Sequence, residues 1–200
     1  MSFYYKRNPA GQARAPKARI WRTTKEGLAL GCTAKGKKEG TGGRVLRLLV
    51  PISYQKGVIA CDPYEKLDGP FFEKYVKDNF QGLFEKADKG LSKLWLQDGD
   101  PSQNATSVKR ALKKLKAELF AIPARSPDLN PIENLFHLVR RKLHEQALDK
   151  NITRESFEQF KERVINTFLS FPSDVIDRII ESMRRRINLI TTNKGNRIKY

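Results

Sequence analysis

Two acidic residues are the candidates for chemistry in this sequence. Asp98 ends the apolar segment Lys93–Asp98, and Glu133 follows Pro131 in the first turn of an expected helix, with thirty-four residues between the two acids. In α/β proteins, ligand-binding groups commonly lie where a strand ends. A carboxylate from a strand end and another from a helix start would form a hard, oxygen-rich site suited to Mg²⁺ or Mn²⁺.

Each acid also has an ordinary structural explanation. Glu133 could cap its own helix by accepting a hydrogen bond from the backbone N–H of Asn130, as in a capping box. Asp98 precedes a glycine and could simply belong to a turn. Asp100 and Asp128 are near enough in sequence to compete as ligands, although each precedes or lies in a turn. Spacing alone leaves these alternatives open.

Two sequence blocks resemble the hallmark blocks of the mariner superfamily of transposases. The blocks are Leu-Gln-Asp-Gly-Asp-Pro-Ser-Gln-Asn at 96–104 and Ser-Pro-Asp-Leu-Asn-Pro-Ile-Glu-Asn at 126–134. Further similarity at 8–38, 171–176 and 182–200 extends the resemblance over nearly the whole chain. That family uses two aspartates and a glutamate on a ribonuclease H-like fold, with the same separation between the last two acids in many members. The resemblance implies that the second aspartate and the glutamate of this chain are catalytic residues and metal ligands.

The resemblance implies a DNA transposase that excises and inserts DNA by strand cleavage and strand transfer. Such enzymes use two-metal phosphoryl transfer with Mg²⁺ or Mn²⁺. The implied partner is double-stranded DNA, both transposon ends and target, with a homodimer in the DNA complex. The implied location is the nucleus.

The first of the three family acids has no counterpart in this sequence. The resemblance places it just upstream of Met1, and Asp62, the earliest aspartate in the chain, ends a later predicted strand. The helix-turn-helix modules that recognise transposon ends are also absent. We therefore expect one catalytic-type domain over residues 1–200 that lacks the recognition region and the first catalytic strand, and that does not cut DNA alone. The alternative is a domesticated, non-catalytic DNA-binding module.

The net charge favours a polyanionic partner. Lysine and arginine number 39 against 22 aspartates and glutamates, which gives a formal charge of +17. Neutralising phosphates with such side chains releases condensed counterions and drives binding to nucleic acid. No apolar run approaches the ~18 residues of a membrane span, so no membrane partner is expected. A basic RNA-binding protein would also fit the charge, but it would leave the two acidic blocks unexplained.

Individual basic residues are weaker candidates for nucleic-acid contacts, because a solvated charged face explains them about as well. Arg184, Arg185 and Arg186 share this ambiguity. The predicted contacts are Lys37, Lys38, Lys109, Arg110, Lys113, Arg125, His137, Arg140 and Arg141.

The hydrophobic pattern predicts the elements that must position the acids. Apolar and β-branched runs between turn formers predict strands. These strands are Arg44–Ser53, Gly57–Asp62, Lys93–Asp98 and Glu118–Pro123. Apolar residues at helical spacing predict helices at Gly69–Glu85, around Val108–Leu115 and from Pro131, with Asn130 as N-cap.

Two further apolar stripes, on either side of Pro172, predict a helical C-terminal tail. The first comprises Phe157, Phe160, Val164 and Phe168, and the second comprises Val175, Ile176, Ile179, Ile180, Met183 and Ile187. Strands interleaved with helices predict an α/β fold with a mixed sheet flanked by helices. The family resemblance specifies this fold as ribonuclease H-like.

Overall fold

The computed structural model describes residues 2–14, 44–88, 92–120, 122 and 126–193. The strands in these ranges are β1 (Ser2–Tyr4), β2 (Val45–Leu49), β3 (Ile52–Ser53), β4 (Gly57–Val58), β5 (Asp62–Tyr64), β6 (Leu94–Leu96) and β7 (Glu118–Phe120). The helices are α1 (Pro9–Arg14), α2 (Gly69–Lys86), α3 (Thr106–Lys114), α4 (Pro131–Asp149), α5 (Phe157–Leu169) and α6 (Ser173–Thr192). A single 3₁₀ turn, Pro127–Leu129, precedes α4.

The strands pair in both directions, as the predicted mixed sheet requires. β2 lies between β1 and β5 and is antiparallel to both, whereas β6 and β7 are parallel and β3 and β4 form a hairpin. The parallel pair is possible because α3 provides the crossover between its strands. Among the described residues these ladders form three small sheets.

Two of the predicted strands are interrupted. The predicted strand Arg44–Ser53 contains β2 and β3, with Val50 and Pro51 between them. Proline has no backbone N–H to donate to a ladder, so pairing breaks at this point. The predicted strand Gly57–Asp62 likewise divides into β4 and the first residue of β5. The hydrophobic pattern located the hairpin but not the break.

Strand β2 separates two hydrophobic cores. Leu46 and Leu48 are buried in the first core, which includes residues of α4, α5 and α6. Leu49 packs instead against the second core, which includes residues of α2 and α3 together with Trp95 of β6. Successive side chains of a strand face opposite sides of a sheet, so β2 contributes to both cores. Helices therefore lie on both sides of the strands, as predicted.

The apolar stripes of α4 and α5 are buried as predicted. The helical spacing of Ile132, Leu135, Phe136, Val139 and Leu143 predicts an apolar face on α4, and four of these five residues are buried. Phe160, Val164 and Phe168 of α5 are buried too. The four on α4 are Leu135, Phe136, Val139 and Leu143. No helix in the described ranges is long and apolar enough to cross a membrane.

The predicted stripe of α6 is wrong at its C-terminal end. Ile187 is 44% exposed, whereas Arg186 is only 2% exposed. Arg186 lies seven residues after the buried Ile179, and a spacing of seven returns to the same face of a helix. The buried face of α6 therefore carries a cation where the hydrophobic pattern predicted an isoleucine.

A buried ion pair joins α5 to the segment that precedes it. The guanidinium of Arg163 meets the carboxylate of Glu155 through two bonds, Nε to Oε1 at 2.7 Å and Nη2 to Oε2 at 2.8 Å. The remaining Nη1 donates to the carbonyl of Leu143 on α4. Both charged side chains are shielded from water, with 13% and 5% exposure. The pair thus links α4 to the start of α5.

We expect the substitution Arg163→Met to lower the free energy of unfolding by about 3–5 kcal/mol, because it leaves a buried carboxylate without its partner. The matched control is Arg178→Met, whose arginine makes an exposed pair with Asp174. That change should cost less than about 1 kcal/mol. Urea unfolding of both variants measures the difference, and equal effects would show that the buried pair has no special role.

Candidate active site

The loop after β6 holds Asp98 at the protein surface. The preceding residue, Gln97, is buried, and its side chain accepts a hydrogen bond from Nε1 of Trp95 at 3.0 Å. The same side chain donates to the carbonyl of Gln103 at 2.9 Å. Gln97 therefore anchors both sides of the loop to the core, while Asp98 at its start remains exposed.

A second amide fixes the backbone of this loop. Nδ2 of Asn104 donates to the carbonyls of Asp98 and Asp100, each at 2.9 Å. Asp100 serves the turn itself, because its Oδ1 accepts from the backbone N–H of Ser102 at 2.7 Å. One oxygen of Asp98 accepts from the N–H of Gly99 at 2.6 Å. Each aspartate therefore accepts one backbone N–H of the loop, and the choice of Asp98 as the ligand stays a prediction.

The start of α4 presents Glu133. The backbone N–H of Asn130 donates to the carbonyl of Pro127 at 3.0 Å, and Asn130 lies at the N-cap position without a side-chain cap bond. Pro131 follows as the first helical residue, where its missing N–H costs nothing. The N–H that a capping box would offer to Glu133 is therefore occupied, so the capping alternative is wrong. The Glu133 carboxylate is half-buried.

The charge of Asp98 acts on Glu133. Burial raises the pKa of Glu133 above its ordinary value, and the negative charge of Asp98 raises the pKa of Glu133 further. The positive charge of Arg140, further along α4, opposes both effects. A like charge raises the pKa of a carboxyl group when the two groups lie near one another. The fold thus places the strand-end acid within electrostatic reach of the helix-start acid, and their roles as catalytic residues and metal ligands stay predictions.

No group of three or more histidines, cysteines, aspartates and glutamates suited to a metal ion occurs among the described residues. The earliest aspartate, Asp62, accepts a hydrogen bond from the hydroxyl of Tyr75 at 2.6 Å. The expectation that Asp62 is a poor substitute for the first family acid stays a prediction. The described part of the site therefore consists of two carboxylates.

The predicted nucleic-acid contacts divide into three groups. Lys109, Arg110 and Lys113 are exposed on the outer face of α3, which begins just after the Asp98 loop. His137, Arg140 and Arg141 are exposed on α4. Lys37, Lys38 and Arg125 lie outside the described residues.

The three exposed residues of α4 differ in their surroundings. The Arg140 guanidinium lies over the ring of Phe3, 5.6 Å from its centroid, and therefore near β1. Arg141 makes an ion pair with Glu145 at 2.9 Å, which partly neutralises its charge. Of these residues, Arg140 is the cation whose charge reaches Glu133.

The sequence reasoning missed the amides that anchor the loop of Asp98 and the buried position of Arg186. Gln97 and Asn104 flank Asp98 within the first motif block, and amides so close to a candidate acid were a signal of loop anchoring. Arg186 was considered only as a surface cation. Its spacing from Ile179 along α6 could have indicated a buried position.

The sequence matches the family of DDE superfamily endonucleases over residues 22–154, well over half of the chain. The chain belongs to this family. The Tcb2 transposase of Caenorhabditis briggsae is 28% identical over 144 residues, which are 70% of this chain and 50% of that protein. The Tc3 transposase of Caenorhabditis elegans is 33% identical over 104 residues, 52% of this chain and 30% of that protein. The chain thus spans half or less of the length of these curated relatives, and the predicted resemblance to mariner-superfamily transposases is confirmed.

Solved structures of the mariner transposase Mos1 share the fold of this DDE-family chain. The Mos1 catalytic domain aligns with a TM-score of 0.62 and 20% identity, over 77% of this chain and 82% of that one. The Mos1 paired-end complex with Mg aligns with a TM-score of 0.73 and 21% identity, over all of this chain and 55% of that one. The predicted ribonuclease H-like α/β fold is confirmed.

We expect the substitution Asp98→Asn to lower the pKa of Glu133 towards its ordinary value, because it removes the neighbouring negative charge. A ¹³C NMR titration of the Glu133 carboxyl measures this pKa directly. The control Asp100→Asn, in the same loop, should leave the pKa of Glu133 unchanged. An unaltered pKa in the Asp98→Asn variant would mean that the two acids are apart.

The raised pKa of Glu133 also predicts how the stability of the protein depends on pH. Between the pKa of Glu133 in the unfolded chain and its higher pKa in the folded protein, the folded state binds more protons, so the free energy of unfolding falls as pH rises through this range. The Asp98→Asn variant should show a shallower fall, as measured by urea unfolding at several pH values.

Proposed function

We propose that this chain is the catalytic part of a transposase that cleaves and joins DNA strands with the help of a divalent metal. The observation that carries the proposal is the proximity of Asp98 and Glu133, supplied by a strand end and a helix start. An acid pair with mutual repulsion costs stability, and proteins retain such pairs mainly at functional sites.

The two carboxylates suit a hard divalent cation. Burial and the charge of Asp98 together raise the pKa of Glu133, and a cation between the two acids would offset both effects. Carboxylate oxygens are the preferred ligands of Mg²⁺ and Mn²⁺. Structures of Mos1 paired-end complexes with Mn and with Mg support the choice of metal. When bound, such ions activate an attacking oxygen and stabilise a leaving oxygen in phosphoryl transfer.

The protein's own residues would hold and orient the reacting groups. Asp98 and Glu133 would bind the metal, while the rigid loop anchored by Gln97 and Asn104 fixes the first of these ligands. Arg140, whose charge reaches Glu133, is suited to hold a DNA phosphate beside the acids. Fixed geometry contributes much of the rate in such reactions, so these anchors bear directly on catalysis.

The proposal includes a third carboxylate that the 200-residue chain does not supply. In the family this acid is an aspartate, and we propose that a longer chain supplies it just upstream of Met1. Without it, metal affinity and turnover should both be reduced. The chain by itself is therefore proposed to bind DNA and metal but not to cut.

The proposed partner is double-stranded DNA, bound largely through its phosphates, in the nucleus and within a homodimeric complex. Mos1 structures with transposon ends support DNA as the partner. The exposed cations on α3, next to the loop that carries Asp98, form a surface suited to a phosphate backbone. The overall charge of +17 also favours binding to DNA.

Mn²⁺ binding tests the metal site. In calorimetric titrations with MnCl₂, we expect Asp98→Asn and Glu133→Gln each to weaken binding by at least about tenfold. Removing only the hydrogen-bond partner of a metal ligand already lowers metal affinity by about tenfold or more, so removing a ligand should cost at least as much. Asp100→Asn, which keeps the oxygen that the turn uses, should bind Mn²⁺ as the original chain does.

Three outcomes would count against the proposal. Equal Mn²⁺ affinity in all three variants would show that Asp98 and Glu133 do not form a metal site. Nicking of a supercoiled plasmid by the 200-residue chain in Mn²⁺ would show that no third acid is needed. Salt-dependent DNA binding without any Mn²⁺ binding would favour a non-catalytic DNA-binding module instead.

DNA binding should weaken steeply with salt. Replacing Lys109, Arg110 and Lys113 with glutamine should reduce the slope of log affinity against log salt by roughly 0.9 for each phosphate that the protein no longer neutralises. The control replaces three cations that already have ion-pair partners, Lys77, Lys161 and Arg178. Fluorescence anisotropy with a duplex at several salt concentrations measures both slopes, and identical slopes would exclude α3 from the DNA interface.

A further inference from the structure

One buried cation remains outside the site described so far. Arg186 lies on the inner face of α6 and is 2% exposed, although its neighbours Arg184 and Arg185 are exposed. Burying a guanidinium is costly unless hydrogen bonds compensate for the lost water. An apolar residue would fill this helical position at lower cost, so the bonds that Arg186 makes indicate its role.

Those bonds hold the segment that carries Glu133. Nη1 of Arg186 donates to the carbonyl of Asp128 at 3.3 Å and to Oδ1 of Asn134 at 3.0 Å. Asp128 lies in the 3₁₀ turn before α4, and Asn134 lies in the first turn of α4, directly after Glu133. One guanidinium from a distant helix therefore spans both sides of the junction.

This junction has few local anchors of its own. Asn130 makes no side-chain cap bond, and Pro131 has no N–H to donate. The backbone bonds that define the turn are short-range ones, made by the amides of Leu129, Asn130 and Glu133. The direction in which α4 starts, and hence the place of Glu133, depends on a tie to another element.

We propose that Arg186 is a positioning residue for Glu133. Its planar guanidinium fixes the 3₁₀ turn relative to the first turn of α4 and so sets where the Glu133 carboxylate stands beside Asp98. Both bonds come from Nη1 of the arginine. Lysine carries the same charge, but its Nζ lies one bond nearer to the backbone than Nη1, so we expect it not to reach both acceptors. The metal part of this inference rests on the proposed function, whereas the anchoring part does not.

The test compares Arg186→Lys with Arg185→Lys, which changes the exposed neighbour in the same way. Hydrogen–deuterium exchange of the full chain, without metal, reports on the amides of 127–134. We expect exchange there to rise about tenfold or more in Arg186→Lys, as for loss of a hydrogen bond to a charged group. Exchange in α5 should stay unchanged, and Arg185→Lys should alter neither region.

A metal titration adds a measurement that a purely structural role would not affect. Mn²⁺ affinity should fall about tenfold in a folded Arg186→Lys protein and stay unchanged in Arg185→Lys. Asn134→Ala, which leaves Arg186 in place, should reproduce the local rise in exchange if the lysine variant does not fold. The double variant should then add little to either change, because both remove one shared interaction.

The outcomes separate the two proposals. Unchanged exchange at 127–134 in Arg186→Lys and Asn134→Ala, or a uniform rise across α4, α5 and α6, would overturn the positioning role. Absence of Mn²⁺ binding in the original chain would overturn the proposed metal site, and the exchange result would still decide the anchoring role of Arg186.

Discussion

The repulsion between two carboxylates is the constraint on which the rest of the structure depends. Burial raises the pKa of Glu133, and the negative charge of Asp98 raises it further. The amides of Gln97 and Asn104 anchor the loop that carries the first acid. The guanidinium of Arg186 donates to the carbonyl of Asp128 and to Oδ1 of Asn134, on either side of the second acid.

The elements that carry the two acids pack into different hydrophobic cores. The strand before Asp98 packs its tryptophan into the core of α2 and α3, whereas the helix that carries Glu133 is buried in the core of α4, α5 and α6. Strand β2 contributes side chains to both cores and so holds them together. The geometry of the acid pair is consequently a property of the whole layered fold, since a shift of either core would change the distance between the carboxylates.

Membership of the DDE superfamily fits this arrangement. The fold is shared with Mos1 at only about a fifth sequence identity, so most surface and core positions have changed while the architecture has not. The two motif blocks of this chain supply the residues that build the acid loop and the start of α4. Fold alone does not assign function, so the proposed catalytic role depends on the two acids and not on the fold.

The sequence by itself determined the family, the two acids and the approximate elements, because motif blocks and hydrophobic periodicity are local properties of the chain. It did not decide whether Glu133 capped its own helix, since that depended on whether the N–H of Asn130 was already bonded to Pro127. Nor could it find the break at Pro51 in the sheet pairing, or the burial of Arg186 in place of Ile187. These depend on which distant groups become neighbours on folding, and a guanidinium is buried only where the tertiary structure brings acceptors to it.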